Sequence, residues 1–219
     1  TCCCGVGTRL FGKLPEYLYS ISDDSVYVNI YAASALNWQK NDQTIKIETD
    51  TKMPEDGKVT IKLSMEHSEK FTLALRIPQW SKGDCIICVN GVPEATGKSG
   101  TYLKLEREWN NGDSVSFELV MYFRPRKYTG KDKMVRLDRW SYEYGPMLFA
   151  VTGEHTNGKS IWIQHDPESI EKWAKPTSDP LTFSIDGDKE HKLEPYYRLD
   201  DETPMTCFPV FTMPGGGYR

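Results

Sequence analysis

The chain has 219 residues, 27 basic against 31 acidic, for a net charge of −4, with 38% hydrophobic and 12% aromatic residues. That length suits one large or two small domains, each able to bury a core. The charge balance gives no electrostatic case for nucleic acid or an anionic membrane surface, and no apolar run reaches membrane-spanning length; a neutral partner is compatible with it.

The chain opens on Thr1-Cys2-Cys3-Cys4-Gly5-Val6-Gly7-Thr8-Arg9, where residue types suited to chemistry crowd together. Neighbouring alpha carbons lie ~3.8 Å apart, short of the usual ~4.4–6.8 Å disulfide range, so these cysteines read as free thiols, thiolates or metal ligands. Thiolates suit zinc, and one lowered in pKa by a metal or cation is also a nucleophile. Three cysteines at an idle terminus are the bland alternative. A start on Thr1, with no signal segment before the motif, is expected of a piece of a longer protein.

Leu10, Phe11 and Leu14 predict a short amphipathic helix over 8–14 that Pro15 stops. Val26, Val28 and Ile30 then alternate with Tyr27, Asn29 and Tyr31, the period of a strand. Alternation recurs over 44–48, 58–65, 71–77, 85–89, 102–109 and 114–120, broken by turn signals at Asp56-Gly57, Asn90-Gly91 and Asn111-Gly112. After a basic passage broken by Pro125 and Gly130, strands are expected over 134–137, 147–151, 160–164, 181–185 and 207–211, with a helical turn over 169–174. The fold class is therefore mainly β, with two antiparallel, jelly-roll-like β-sandwich domains over 21–122 and 123–212. Residues 1–20 would end a preceding unit and 213–219 form a flexible tail.

Elsewhere the bland readings prevail. On a strand, Cys85 and Cys88 point to opposite faces, so their CxxC string reads as packing rather than redox or zinc chemistry. His67, His155, His165 and His191 lack triad or metal spacing and are expected at the surface. Asp23-Asp24, Glu106/Glu108 and Asp200-Asp201-Glu202 read as turns or solvated faces rather than paired glycosidase carboxylates or calcium ligands. Most of Trp38, Trp80, Trp109, Trp140, Trp162 and Trp173 are expected in cores, with a sugar-stacking platform as the functional alternative.

Cys2-Cys3 followed by Gly5-x-Gly7-Thr8-Arg9-Leu10-Phe11-Gly12-x-Leu14-Pro15-Glu16-Tyr17-Leu18-Tyr19-Ser20 resembles the end of the catalytic domain in glycoside hydrolase family 127, the β-L-arabinofuranosidases. The likeness continues through 25–31, Phe71-Thr72-Leu73-Ala74-Leu75-Arg76-Ile77-Pro78-x-Trp80, Val89-Asn90-Gly91 and Tyr102-Leu103-x-Leu105-x-Arg107-x-Trp109 to Gly145-Pro146-Met147-Leu148. It implies that an (α/α)6 barrel precedes the β domains, with the helix near residue 8 its stub. It also implies that Cys2 is the nucleophile of a retaining glycosidase, that Cys2 and Cys3 bind zinc, and that the substrates are arabinofuranosides or related glycans. A glutamate and a cysteine completing the zinc site, and the acid/base glutamate, would belong to the upstream barrel. Cys4 and Gly5-Val6-Gly7 depart from the family's usual residues after the pair. The chain alone is accordingly expected to be inactive and to hold zinc weakly. The alternative is a non-catalytic carbohydrate-binding or structural β-sandwich.

Overall fold

The computed structural model describes residues 2–130, 138–155 and 160–211, except for the side chains of residues 2–4. The strand expected over 134–137 and the tail over 213–219 lie outside the described residues. The chain divides into two compact units, residues 1–121 and 122–219.

The first unit opens with helix α1 (Cys2–Lys13), continued by a 3-10 turn at Leu14–Tyr17. The helix expected over 8–14 thus extends back to Cys2. Pro15 falls in the 3-10 turn, where its missing N–H is tolerated, and stops α-helical bonding from running on. Ten strands follow: β1 (Tyr19–Ser22), β2 (Ser25–Val28), β3 (Ser34–Lys40), β4 (Gln43–Thr51), β5 (Lys58–Ser64), β6 (Glu69–Ile77), β7 (Cys85–Val89), β8 (Val92–Gly97), β9 (Thr101–Trp109) and β10 (Ser114–Glu118). They build a four-stranded sheet, β1-β2-β6-β9, and a six-stranded one, β3-β4-β5-β10-β7-β8. Every pairing is antiparallel except β2 with β6, which are parallel because β3, β4 and β5 intervene in the opposite sheet.

The period-two pattern decides the register. Phe71, Leu73, Leu75 and Ile77 of β6 face inward and meet Ile45, Ile47, Ile61 and Leu63 of the larger sheet in one core. A one-residue slip of β6 would turn its four large apolar side chains to solvent, at roughly 1.5–3 kcal/mol each, comparable in sum to the whole stability of a domain. Edge-on pairs tie the core together: Trp38 of β3 meets Phe71 of β6 at 5.4 Å, and Tyr31, in the connection after β2, meets Phe117 of β10 at 5.3 Å. The Asn111-Gly112 turn carries the chain from β9 in one sheet to β10 in the other, so it joins the two layers rather than forming a hairpin.

The second unit holds β11 (Phe123–Lys127), β12 (Asp138–Tyr144), β13 (Met147–Thr152), β14 (Trp162–Ile163), helix α2 (Ile170–Trp173), β15 (Ala174–Pro176), β16 (Phe183–Ile185), β17 (Asp188–Pro195), β18 (Met205–Thr206) and β19 (Val210–Phe211). Its strands form one branched network. Five residues of β12 pair with β11, its last three with β13, and its first two with β19, which in turn runs parallel to β14. Tyr142 anchors this core: its ring meets Trp173 and Phe211 edge-on, and its hydroxyl donates to the Pro167 carbonyl at 3.1 Å. No helix among the described residues is long and apolar enough to cross a membrane.

Candidate functional site

Cys2 and Cys3 fall in the first turn of α1. Their thiols lie outside the described residues, as does that of Cys4. Beyond them the helix exposes a large apolar surface, Val6 at 69%, Leu10 at 55% and Phe11 at 72%. Gly5, Gly7 and Gly12 each cost such a helix about 1 kcal/mol relative to Ala, and twelve residues is a marginal length for an unsupported helix. Sequence and burial together describe a helix that depends on cover over its apolar face.

A second candidate lies wholly in the second unit. A cleft of about 580 Å³ opens between residues 162–165 and the β16–β17 hairpin, residues 185–190. The hairpin turns at Asp186-Gly187, with Gly187 at φ +75°, a strong turn signal that the sequence reading passed over. Both walls are fixed. The Asp186 amide donates to the Trp173 carbonyl at 2.8 Å. His165 stacks flat on Trp173 at 5.4 Å, and its Nε2 lies 2.7 Å from the Asp186 carbonyl.

Behind the hairpin sits His191, only 7% exposed, which corrects the expectation of a surface place. Its Nδ1 lies 2.8 Å from Asp188 Oδ2 and its Nε2 2.9 Å from the Glu154 carbonyl, so both ring nitrogens meet acceptors. Burial by itself lowers the imidazole pKa, but the Glu154 carbonyl and the Asp188 carboxylate together outweigh it and raise the pKa above its ordinary value. Burial likewise pushes the Asp188 carboxyl up, and bonds from His191 and the amides of Glu190 and His191 bring it below the usual carboxylate value. The pair closes a turn.

The remaining candidates separate. Cys85 is buried in the first unit's core while Cys88, on the alternate face of β7, is half-buried. His67 is exposed, and His155 contacts the Met205 carbonyl. Glu106 pairs with Lys70 on the outer face of the small sheet, Asp24 pairs with Lys40, and Asp200 caps its own turn through Thr203. Among the described residues no three His, Cys, Asp or Glu side chains are placed to hold a metal.

Comparison with known proteins bears on the first unit by sequence. Residues 25–121, from β2 through β10, match the family model described as the β-L-arabinofuranosidase GH127 middle domain. Over those residues the sandwich resembles the GH127 middle domain. No curated protein matches the chain by sequence. By fold the likeness extends to nearly all of it. A GH127 β-L-arabinofuranosidase from Geobacillus stearothermophilus T6 superposes over 96% of this chain and 37% of its own, with a TM-score of 0.71 and 22% identity. A GH127 β-arabinofuranosidase covers 94% of this chain and 39% of its own, at 0.74 and 23% identity. A structure described as a glycoside hydrolase covers 93% and 38%, at 0.72 and 21%. The resemblance to GH127 and the mainly β fold class are both borne out, and the chain spans less than two-fifths of these structures.

Proposed function

We propose that this chain is the β-domain portion of a longer, cysteine-dependent retaining glycoside hydrolase acting on arabinofuranosides or related glycans, whose catalytic (α/α)6 domain lies upstream. The observation that carries the reading is the GH127 middle-domain match over residues 25–121, downstream of a helix whose first turn holds Cys2 and Cys3. The exposed apolar face of α1 supports it, because such a helix needs the cover that an adjoining domain would supply.

In this reading the Cys2 thiolate attacks the anomeric carbon. A C–S bond forms as the C–O bond breaks, and an acid from the upstream domain protonates the departing oxygen. Water then attacks the same carbon, gives its proton to that residue, and frees the thiolate. Cys2 and Cys3 would supply two sulfur ligands to a zinc ion, which when bound keeps the nucleophile deprotonated near neutral pH. An upstream glutamate and cysteine would complete the site.

The experiment compares the longer protein with its Cys2→Ser and Cys3→Ser variants on a panel of furanosides, reading turnover and bound zinc together. Cys2→Ser should abolish hydrolysis, since a hydroxyl cannot supply a comparable anionic nucleophile at neutral pH. Cys3→Ser should lose metal and activity together. Near-normal turnover by Cys2→Ser with zinc in place would remove Cys2 from the chemistry.

A further inference from the structure

The helix that carries Cys2 and Cys3 is fastened to the small sheet where it ends, and the fastening is Asn29, just after β2. Helix α1 runs without a break into the 3-10 turn, which Leu18 closes by donating its N–H to the Pro15 carbonyl at 3.2 Å. Carbonyls at a helix end have no partner within the helix. Asn29 supplies one: its N–H donates to the Leu18 carbonyl at 2.8 Å, and its Nδ2 donates to Ser20 Oγ at 2.8 Å and, at 3.4 Å, to the Tyr17 carbonyl. From the other side, the Tyr102 hydroxyl of β9 donates to Asn29 Oδ1 at 2.7 Å, and Arg76 Nη1 of β6 donates to the Asn29 carbonyl at 3.2 Å. Every polar group of Asn29 is thereby engaged. Register brings them together. Val28 pairs with Tyr19 and with Leu75, and Arg76 with Tyr102, so Leu18, Asn29, Arg76 and Tyr102 form one row across the sheet at the exit of the helix.

We propose that Asn29 is a positioning residue for the chemistry at Cys2, locking the end of the cysteine-bearing helix onto the sheet with Tyr102 and Arg76 as its struts. The role of Cys2 is that of the glycosidase reading above; the joint stands without it. Residues 8–17 are exposed, so the helix leans on no core of its own unit and takes its direction from the end that is fastened. A rise of about 1.5 Å per residue puts the first of its twelve residues about 16 Å from the last. Over that length a tilt of about 4° displaces Cys2 by about 1 Å, and a misplacement of that size costs up to about 100-fold in rate. Sugar binding by an upstream domain would be untouched, so the loss falls on kcat rather than KM.

The test uses the longer protein and reads furanoside hydrolysis together with amide hydrogen exchange over residues 14–20. Asn29→Ala keeps the backbone bonds to Leu18 and Arg76 and removes only the side chain. It should lower kcat at least about tenfold, leave KM within about threefold, and speed exchange over 14–20. Tyr102→Phe keeps the ring against Tyr27 and removes one strut; it should move kcat and exchange the same way by about threefold. Asn90→Ala, which unsettles the same unit in the turn between β7 and β8, should leave kcat within about twofold and exchange over 14–20 unchanged. Native kcat in Asn29→Ala, a raised KM with kcat unchanged, or an equal loss of kcat in Asn90→Ala would overturn the proposal. A longer protein that hydrolyses no furanoside would remove the glycosidase reading, and exchange would still decide the joint: unchanged exchange over 14–20 in Asn29→Ala would remove that as well.

Discussion

Asn90, in the turn after β7, and Asp113, in the turn before β10, hold each other: Asn90 Nδ2 donates to Asp113 Oδ1 at 2.9 Å. Asn90 Oδ1 accepts from the Ser114 amide at 2.9 Å, and Asp113 Oδ2 accepts from the Asn110 amide at 2.8 Å. The same Asn90-Gly91 dipeptide shapes the hairpin, with φ +52° and +78°. One asparagine thus makes a turn and clamps a second turn 23 residues away.

Asn90→Ala should cost the first unit about 2–3 kcal/mol, because it leaves the Asp113 carboxylate, 8% exposed, short of a donor and places alanine at positive φ. Asp113→Ala should cost a similar amount. Urea denaturation of both single variants and the double variant gives the coupling, expected to be at least about 0.5 kcal/mol. Strict additivity would show that the two side chains do not act as a clamp.

Gly153 and Gly187 both occupy positive φ, at +127° and +75°, but only the first is crowded. A Cβ on Gly153 would come within 2.6 Å of the Glu190 carbonyl oxygen and of His191 Cδ2, whereas one on Gly187 meets open space. Gly153→Ala should therefore destabilise the second unit by about 3 kcal/mol or more, and Gly187→Ala by about 1 kcal/mol. Equal midpoints for the two variants in urea would mean that backbone strain alone sets the cost.

Strands such as β2, β4, β5 and β6 were legible in the sequence because they lie at the centre of a two-layer core, where burial imposes strict alternation. β3 and β8 were not: both are edges of the larger sheet, β3 burying mainly Trp38 and β8 carrying Pro93 and Glu94 on a mostly exposed strand. The first turn of α1 was missed because Gly5 and Gly7 dilute the helical signal ahead of Thr8. β12 mixes polar and aromatic residues and β17 is mostly charged, and burial in both depends on distant partners such as β19 and the Glu154 carbonyl. For the candidate chemistry, residue types alone pointed to the run Cys2-Cys3-Cys4, and the resemblance alone assigned roles to Cys2 and Cys3. The cleft needed two separated segments, 162–165 and 185–190, to meet, which local pattern does not record.

The two thiols of β7 should differ sharply in reactivity. Cys85 is 2% exposed, and burial pushes its thiol up to about 11, with Sγ 3.4 Å from the Glu118 carbonyl. At pH 8 almost none of it is thiolate, the reactive form. A pulse of iodoacetamide followed by peptide mapping should label Cys88 well before Cys85, with Cys85 released only by denaturant. Cys85→Ser should cost about 1 kcal/mol, since the hydroxyl inherits the Glu118 acceptor. Rapid native labelling of Cys85 would show that β7 opens readily.

The His191–Asp188 pair fixes how the second unit should respond to pH. The imidazole pKa is raised above its ordinary 6.5 by the Glu154 carbonyl and Asp188 carboxylate despite burial, so its contribution is complete below 6.5 and fades as pH climbs through the raised value. The Asp188 carboxyl is lowered from 3.8 by bonds from His191 and two backbone amides, again despite burial, so its contribution is complete above 3.8 and fades as pH falls through the lowered value. Both contributions are therefore whole between pH 3.8 and 6.5 and decline on either side. Urea midpoints of the second unit, followed by resonances of β17, should fall as pH rises from 6.5 to 9 in the native protein. His191→Gln has no titrating ring and should start less stable but stay level across that interval. Asp188→Asn should bring the histidine's titration back toward its ordinary range, moving the decline to lower pH. If the native protein and His191→Gln lose stability in parallel above pH 6.5, the proton that matters is not on His191.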